Sequence, residues 1–194
     1  MSSRAGNVVY IDDLLNEAKN GVKNIMQGRV AEETVDTVAE KVGFAAIAFG
    51  ILKSSRMNDT AFELDYALKL EGDTGPYLQY TMVRAGSVLE KAKSMNIKKS
   101  YTVPSGWQIT NLERYLYRFE EVVIRACENL EPHHIATYLI ELASFFNSFY
   151  TGQKIVDETD TSSPYRIVLT EAFRKVMGKG LYLLGIESPE KQVS

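Results

Sequence analysis

A chain of 194 residues with 45% hydrophobic and 24% charged side chains can bury a full core without staples and has an ordinary globular balance. A net charge of −3 and a pI near 5.5 argue against a protein that binds nucleic acid over its whole surface, so any RNA contact has to be local. Cys127 is the only cysteine, which excludes an internal disulfide and fits a reducing compartment. No apolar run approaches the roughly 20 residues needed to cross a bilayer. The first residues carry no hydrophobic signal region, so a cytoplasmic protein is expected.

Residues 1–10 contain only a short β-prone run, Val8-Val-Tyr10. Asp12 or Asp13 can cap a helix running to about Met26, with Leu14, Leu15, Ala18, Val22, Ile25 and Met26 on one side and Gly28 as its stop. A second helix is expected from about Ala31 to Ser54. Its Gly43, Ala45, Ala46, Ala48 and Gly50 permit close helix approach. Residues 55–64 break the period, and Tyr66–Leu70 form a helical turn or two. Gly72 and Gly75 punctuate a loop before Pro76, which opens a helix through Val83, Val88, Leu89 and Ala92. After a loop at 96–107, pinned by Trp107, the capping box Thr110-Asn-Leu-Glu113 starts one helix ending near Asn129. Pro132 opens the next, which Gly152 stops. A polar loop spans 153–162, and Pro164 opens a last helix that Gly178 and Gly180 loosen before Leu181–Ile186. The sum is all-α: an antiparallel bundle of about six or seven helices without sustained strands.

One stretch carries more than packing. Tyr77 and Tyr80 lie three apart and share a face of the first turn after Pro76, and Arg84 returns to that side. Gln79 points elsewhere. Two rings, an amide and a guanidinium at a helix start suit a surface that stacks unpaired bases and holds phosphates. Core rings with hydroxyls at the rim are the alternative. From Arg84 to Lys99, five basic residues face one acid, Glu90. No catalytic constellation emerges. Glu131-Pro-His-His134 has the E-x-x-H spacing of carboxylate-bridged metal sites, but a second copy cannot exist without a third histidine, so no metal site is expected. Cys127 falls in an apolar helical pattern and is expected to be a buried, inert thiol. There is neither a P-loop nor a G-x-S-x-G.

The strings Phe62-Glu-Leu-Asp-Tyr-Ala-Leu68 and Gly72-Asp-Thr-Gly-Pro-Tyr-Leu-Gln-Tyr-Thr-Met-Val-Arg84 closely resemble the entry into the all-helical anticodon-binding (DALR-type) domain of the arginyl-tRNA synthetases. The resemblance continues through Glu131–Ala143, Phe146-Asn-Ser-Phe-Tyr150 and Gly180–Ile186. Met1, Ser2, Ser3 and Arg4 resemble the tail of the KMSKS-type loop that helps hold ATP phosphates in class I synthetases, without its leading lysine. The resemblance implies a loop remnant at 1–10, connecting helices at 11–54 and a core bundle at 55–194. It also implies that the connection from residue 55 into the Gly72–Pro76 turn lies against an anticodon arm, and that Tyr77, Gln79, Tyr80, Arg84 and Tyr150 line the anticodon surface. Gln192 stands near the position of a methionine that commonly ends the family and touches the loop. The implied partners are the anticodon stem-loop of arginine tRNA and a catalytic domain of the same, monomeric chain. ATP with magnesium belongs to that domain, and no cofactor to these residues. The anticodon module of another class I synthetase, such as the cysteine enzyme, and a helical interaction bundle without RNA are the rivals.

Overall fold

A computed structural model describes residues 10–26, 32–59 and 61–188. Among them are eight helices: α1 Ile11–Met26, α2 Glu32–Leu52, α3 Leu64–Ala67, α4 Gly75–Ser94, α5 Asn111–Tyr117, α6 Phe119–Asn129, α7 His133–Gly152 and α8 Ser163–Leu183. No strand occurs among the described residues, and none of their helices is long and apolar enough to cross a membrane. The count exceeds the expected six or seven for two reasons. The Tyr66 turn closes as the one-turn α3. The single helix expected after Thr110 is also broken at Arg118. There the Tyr138 hydroxyl, arriving from α7, donates to the Tyr115 carbonyl at 3.0 Å, and the Arg118 N–H takes the same oxygen at 3.1 Å. A side chain inserted into the i→i−4 ladder ends α5 and restarts the chain as α6.

The cross-helix pairs give the directions. Lys19–Glu40 and Lys23–Asp36 run α1 antiparallel to α2. The Gly75 and Gln79 contacts with Ala45 and Lys41 do the same for α2 and α4. Gly178 faces Met82 and Gly86 faces Arg174, so α4 opposes α8. Phe146 stacks on Phe173 at 3.9 Å while Gly180 meets Leu139, so α7 opposes α8 as well. Hence α4 and α7 run in the same direction. The small residues of α2 act as expected, since a Cβ on Gly43 would sit 3.0 Å from the Lys19 backbone nitrogen of α1. Gly178 and Gly180 do not loosen α8, which continues to Leu183. Gly180 is small because its Cβ would meet Leu139 at 2.5 Å. Burial divides into two clusters. One gathers α1, α2 and α3 around Ala18, Val22, Ala46 and Leu68. The larger joins α4–α8 to Ala45 and Phe49 of α2 around Leu78, Leu139, Phe146 and Phe173. Cys127 is exposed, a correction to the expected buried thiol: α6 buries only Ala126, and the next residue turns outward.

The loop before α8 is anchored by charge. Asp157 accepts from the Thr159 N–H at 3.0 Å and pairs with Lys154, which together hold its carboxyl down to about 2. Asp160 accepts from the Ser162 N–H and pairs with Arg166, and is also held below the ordinary aspartate range. A carboxylate with a depressed folded value lends stability above its unfolded value and loses it as pH falls through the folded one. The loop is therefore expected to loosen between about pH 4 and pH 2, seen as faster amide exchange at Thr159 and Ser162 with the helical amides still protected.

Candidate nucleic-acid interface

The start of α4 is assembled from the turn before it. Gly72 takes φ +72°, a conformation glycine adopts without strain. Thr74 then caps the helix: its hydroxyl donates to the Lys69 carbonyl at 2.6 Å and accepts the Tyr77 N–H at 3.2 Å. Tyr66 braces the same turn, its hydroxyl accepting the Asp73 N–H at 3.5 Å. On the other side, Gly75 lies directly on the backbone of α2. Capped and wedged in this way, the first turn of α4 holds Tyr77 and Tyr80 at a fixed angle to the bundle.

These rings belong to one polar and aromatic cluster shared by α4 and α7. The Arg84 guanidinium donates to the Asn147 Oδ1 at 2.5 Å and to the Tyr80 hydroxyl at 3.1 Å. Its Cζ stands 4.7 Å from the Tyr80 ring centroid and 5.2 Å from that of Tyr150. Asn147 Nδ2 donates to the Tyr77 hydroxyl at 2.8 Å. Tyr77, Tyr80, Arg84 and Asn147 are half-buried and Tyr150 is 39% exposed, while Tyr77 also packs against the main core, so the cluster stands where core meets surface. Among the described residues, no carboxylate pairs with Arg84. Such a face offers ring surface for stacking, phenol hydroxyls for base edges and one uncompensated guanidinium for phosphate. Asn147 was not among the expected site residues, although it lies three residues before Tyr150 and therefore on the same face of α7.

Gln79 is a correction. The resemblance placed it on the anticodon surface, but it is 0% exposed. Its Nε2 donates to the Lys41 carbonyl at 3.3 Å and the Glu187 carbonyl at 2.6 Å, because α2 and the segment after α8 cover that flank of α4. It ties three parts of the chain together instead of facing a ligand. Met1, Ser2, Ser3, Arg4 and Gln192 lie outside the described residues.

Part of the basic stretch after Arg84 lines a second face. Lys93 and Lys99 line a groove of about 660 Å³ between α4 and α8 with Arg174 and Lys175, and Glu171 neutralises Lys99 and Lys175. Trp107 pins its loop, donating to Glu113 at 3.1 Å and standing edge-on to Tyr165 at 5.2 Å. Burial pushes the Glu113 carboxyl up, but hydrogen bonds from Thr110, Trp107 and Tyr165 outweigh it, and the group sits below the ordinary glutamate range. Glu131 is occupied by His133, Ser55 and Arg56, tying the start of α7 to the 55–64 connection. No cluster of three or more metal-ligating side chains occurs among the described residues.

Residues 78–191 match the family model described as the DALR anticodon binding domain, and residues 1–64 match that of the class I tRNA synthetase (R) catalytic domain. An arginine–tRNA ligase of Limosilactobacillus reuteri is 37% identical over 192 residues, covering 98% of this chain and 34% of the relative. That of Halothermothrix orenii is 37% identical over 194 residues with the same coverage. The chain thus spans about a third of the length of these relatives. The arginyl-tRNA synthetase structure of Thermus thermophilus superposes with a TM-score of 0.82 at 30% identity, over 99% of this chain and 33% of that one. The Plasmodium falciparum enzyme shares the fold, with a TM-score of 0.77 at 22% identity over 95% of this chain and 34% of that one. The chain therefore belongs to the DALR anticodon-binding domain family and corresponds to that portion of an arginyl-tRNA synthetase, preceded by the end of the class I catalytic domain.

Proposed function

We propose that the α4–α7 face binds the anticodon stem-loop of arginine tRNA, with Tyr77, Tyr80 and Tyr150 meeting unpaired bases and Arg84 meeting phosphate. The observation that supports this most is the placement of a half-buried guanidinium, without a carboxylate partner among the described residues, between two tyrosine rings. Attachment of arginine to tRNA, with ATP and magnesium, is the activity we assign to the longer enzyme, acting in the cytoplasm. The described residues supply recognition rather than chemistry.

The test is a titration of the chain with anticodon stem-loops of arginine and cysteine tRNA at several salt concentrations. Preference for the arginine stem-loop is expected, with affinity falling as salt rises because phosphate contacts release counterions. Tyr80→Ala is expected to weaken binding by roughly 1–3 kcal/mol, the worth of one stacked base. Equal affinity for both stem-loops, or binding indifferent to salt, would sink the reading.

A further inference from the structure

Hydrogen-bond polarity in the cluster follows from one constraint. A guanidinium carries donors and no acceptor, so the Asn147 atom facing Arg84 has to be its oxygen. The amide nitrogen is then turned to Tyr77, and the Tyr77 oxygen has to accept. A phenol has a single proton. With its oxygen accepting from Asn147, that proton has no acceptor among the described residues and is left to donate outward. Tyr80 is in the same state, since its oxygen accepts from Arg84. One guanidinium and one amide thus turn both phenols into donors toward whatever occupies the face.

We propose that Asn147 is a positioning residue that makes the Tyr77 hydroxyl a donor to RNA. The Tyr77 and Tyr80 hydroxyls then select acceptor atoms, the carbonyl oxygens or ring nitrogens of an unpaired base, over exocyclic amino groups. This rests on the anticodon reading above and specifies the kind of base edge that reading requires. Unpaired bases present their Watson–Crick and Hoogsteen edges, so two hydroxyls fixed as donors discriminate where freely turning ones would not. Asn147 itself need not touch RNA. It acts by fixing which way the phenol proton points.

The discriminating variant is Asn147→Asp. It is isosteric, keeps the Arg84 partner, and replaces the amide nitrogen with an acceptor, so the Tyr77 proton turns inward. In the wild-type chain, Tyr77→Phe is expected to weaken stem-loop binding about fivefold to tenfold, the worth of one hydrogen bond. In the Asn147→Asp background the same change is expected to cost nothing more. A cost equal in both backgrounds would mean that the aspartate acts only by repelling phosphate, and would overturn the proposal. So would a Tyr77→Phe variant that binds as well as wild type. The 13Cζ resonance of Tyr77, assigned by its loss in Tyr77→Phe, gives a readout without RNA. It is expected to move in Asn147→Asp as the phenol becomes an inward donor, and an unmoved resonance would overturn the inference. If wild type fails to bind the stem-loop, the anticodon reading falls, while this resonance still decides the polarity.

Discussion

Replacing Gly75 with alanine is expected to cost about 3 kcal/mol of stability and to lower the melting midpoint by about 6–12 °C. A Cβ at this position would lie 2.2 Å from the Ala45 carbonyl oxygen and 2.7 Å from its carbon, with the Phe49 Cβ at 3.1 Å. The obstacle is the backbone of α2, which no rotamer change can clear. α4 would have to lift away, and Phe49 and Leu78, both fully buried, would lose packing. Because Thr74 caps α4 one residue earlier and Tyr77 follows two residues later, the shift would also displace the ring-bearing turn. Urea unfolding is the measurement, with Gly152→Ala as control, since nothing lies within 4 Å of a Cβ there. A Gly75→Ala chain as stable as the control would show that α4 does not depend on this close approach.

The second large effect is expected at Arg84. Arg84→Met removes the donor to Asn147 and Tyr80 and the cation lying against two rings, while keeping a side chain of similar length. Stem-loop binding is expected to weaken by about tenfold to a hundredfold, the sum of a charge-assisted contact and a cation–π contribution. The salt dependence should drop by about one phosphate contact. Arg84→Lys is expected to recover only part of this, because a lysine ammonium cannot hold Asn147 and Tyr80 with a planar fork while lying over a ring. Full binding by the lysine variant would reduce the cluster to a single positive charge. Loss of binding with an unchanged salt slope would mean that Arg84 acts only within the protein.

The two experiments probe features of unequal legibility. The helix starts were readable in the chain because each depends on local chemistry: Pro76 and Pro164 in first turns, and the reciprocal bonds of Thr110 and Glu113. The shared side of Tyr77, Tyr80 and Arg84 was readable for the same reason, since spacings of three and four place residues together on any α-helix. The break at Arg118 was not. Its cause is the Tyr138 hydroxyl, 23 positions beyond the carbonyl that it occupies. Asn147 was hidden in the same way, since its partners Tyr77 and Arg84 lie 70 and 63 positions away.

Local spacing determined that this chain is helical, where most of its helices begin, and which aromatic and basic side chains share a side of α4. It could not determine which sides of each helix another element covers. Tertiary packing decided that Gln79 is enclosed by α2 and Glu187, that Cys127 faces outward, and that Gly180 accommodates Leu139. The reason is physical. Periodicity is a property of one helix and survives any packing, whereas burial depends on which residues arrive from elsewhere in the chain.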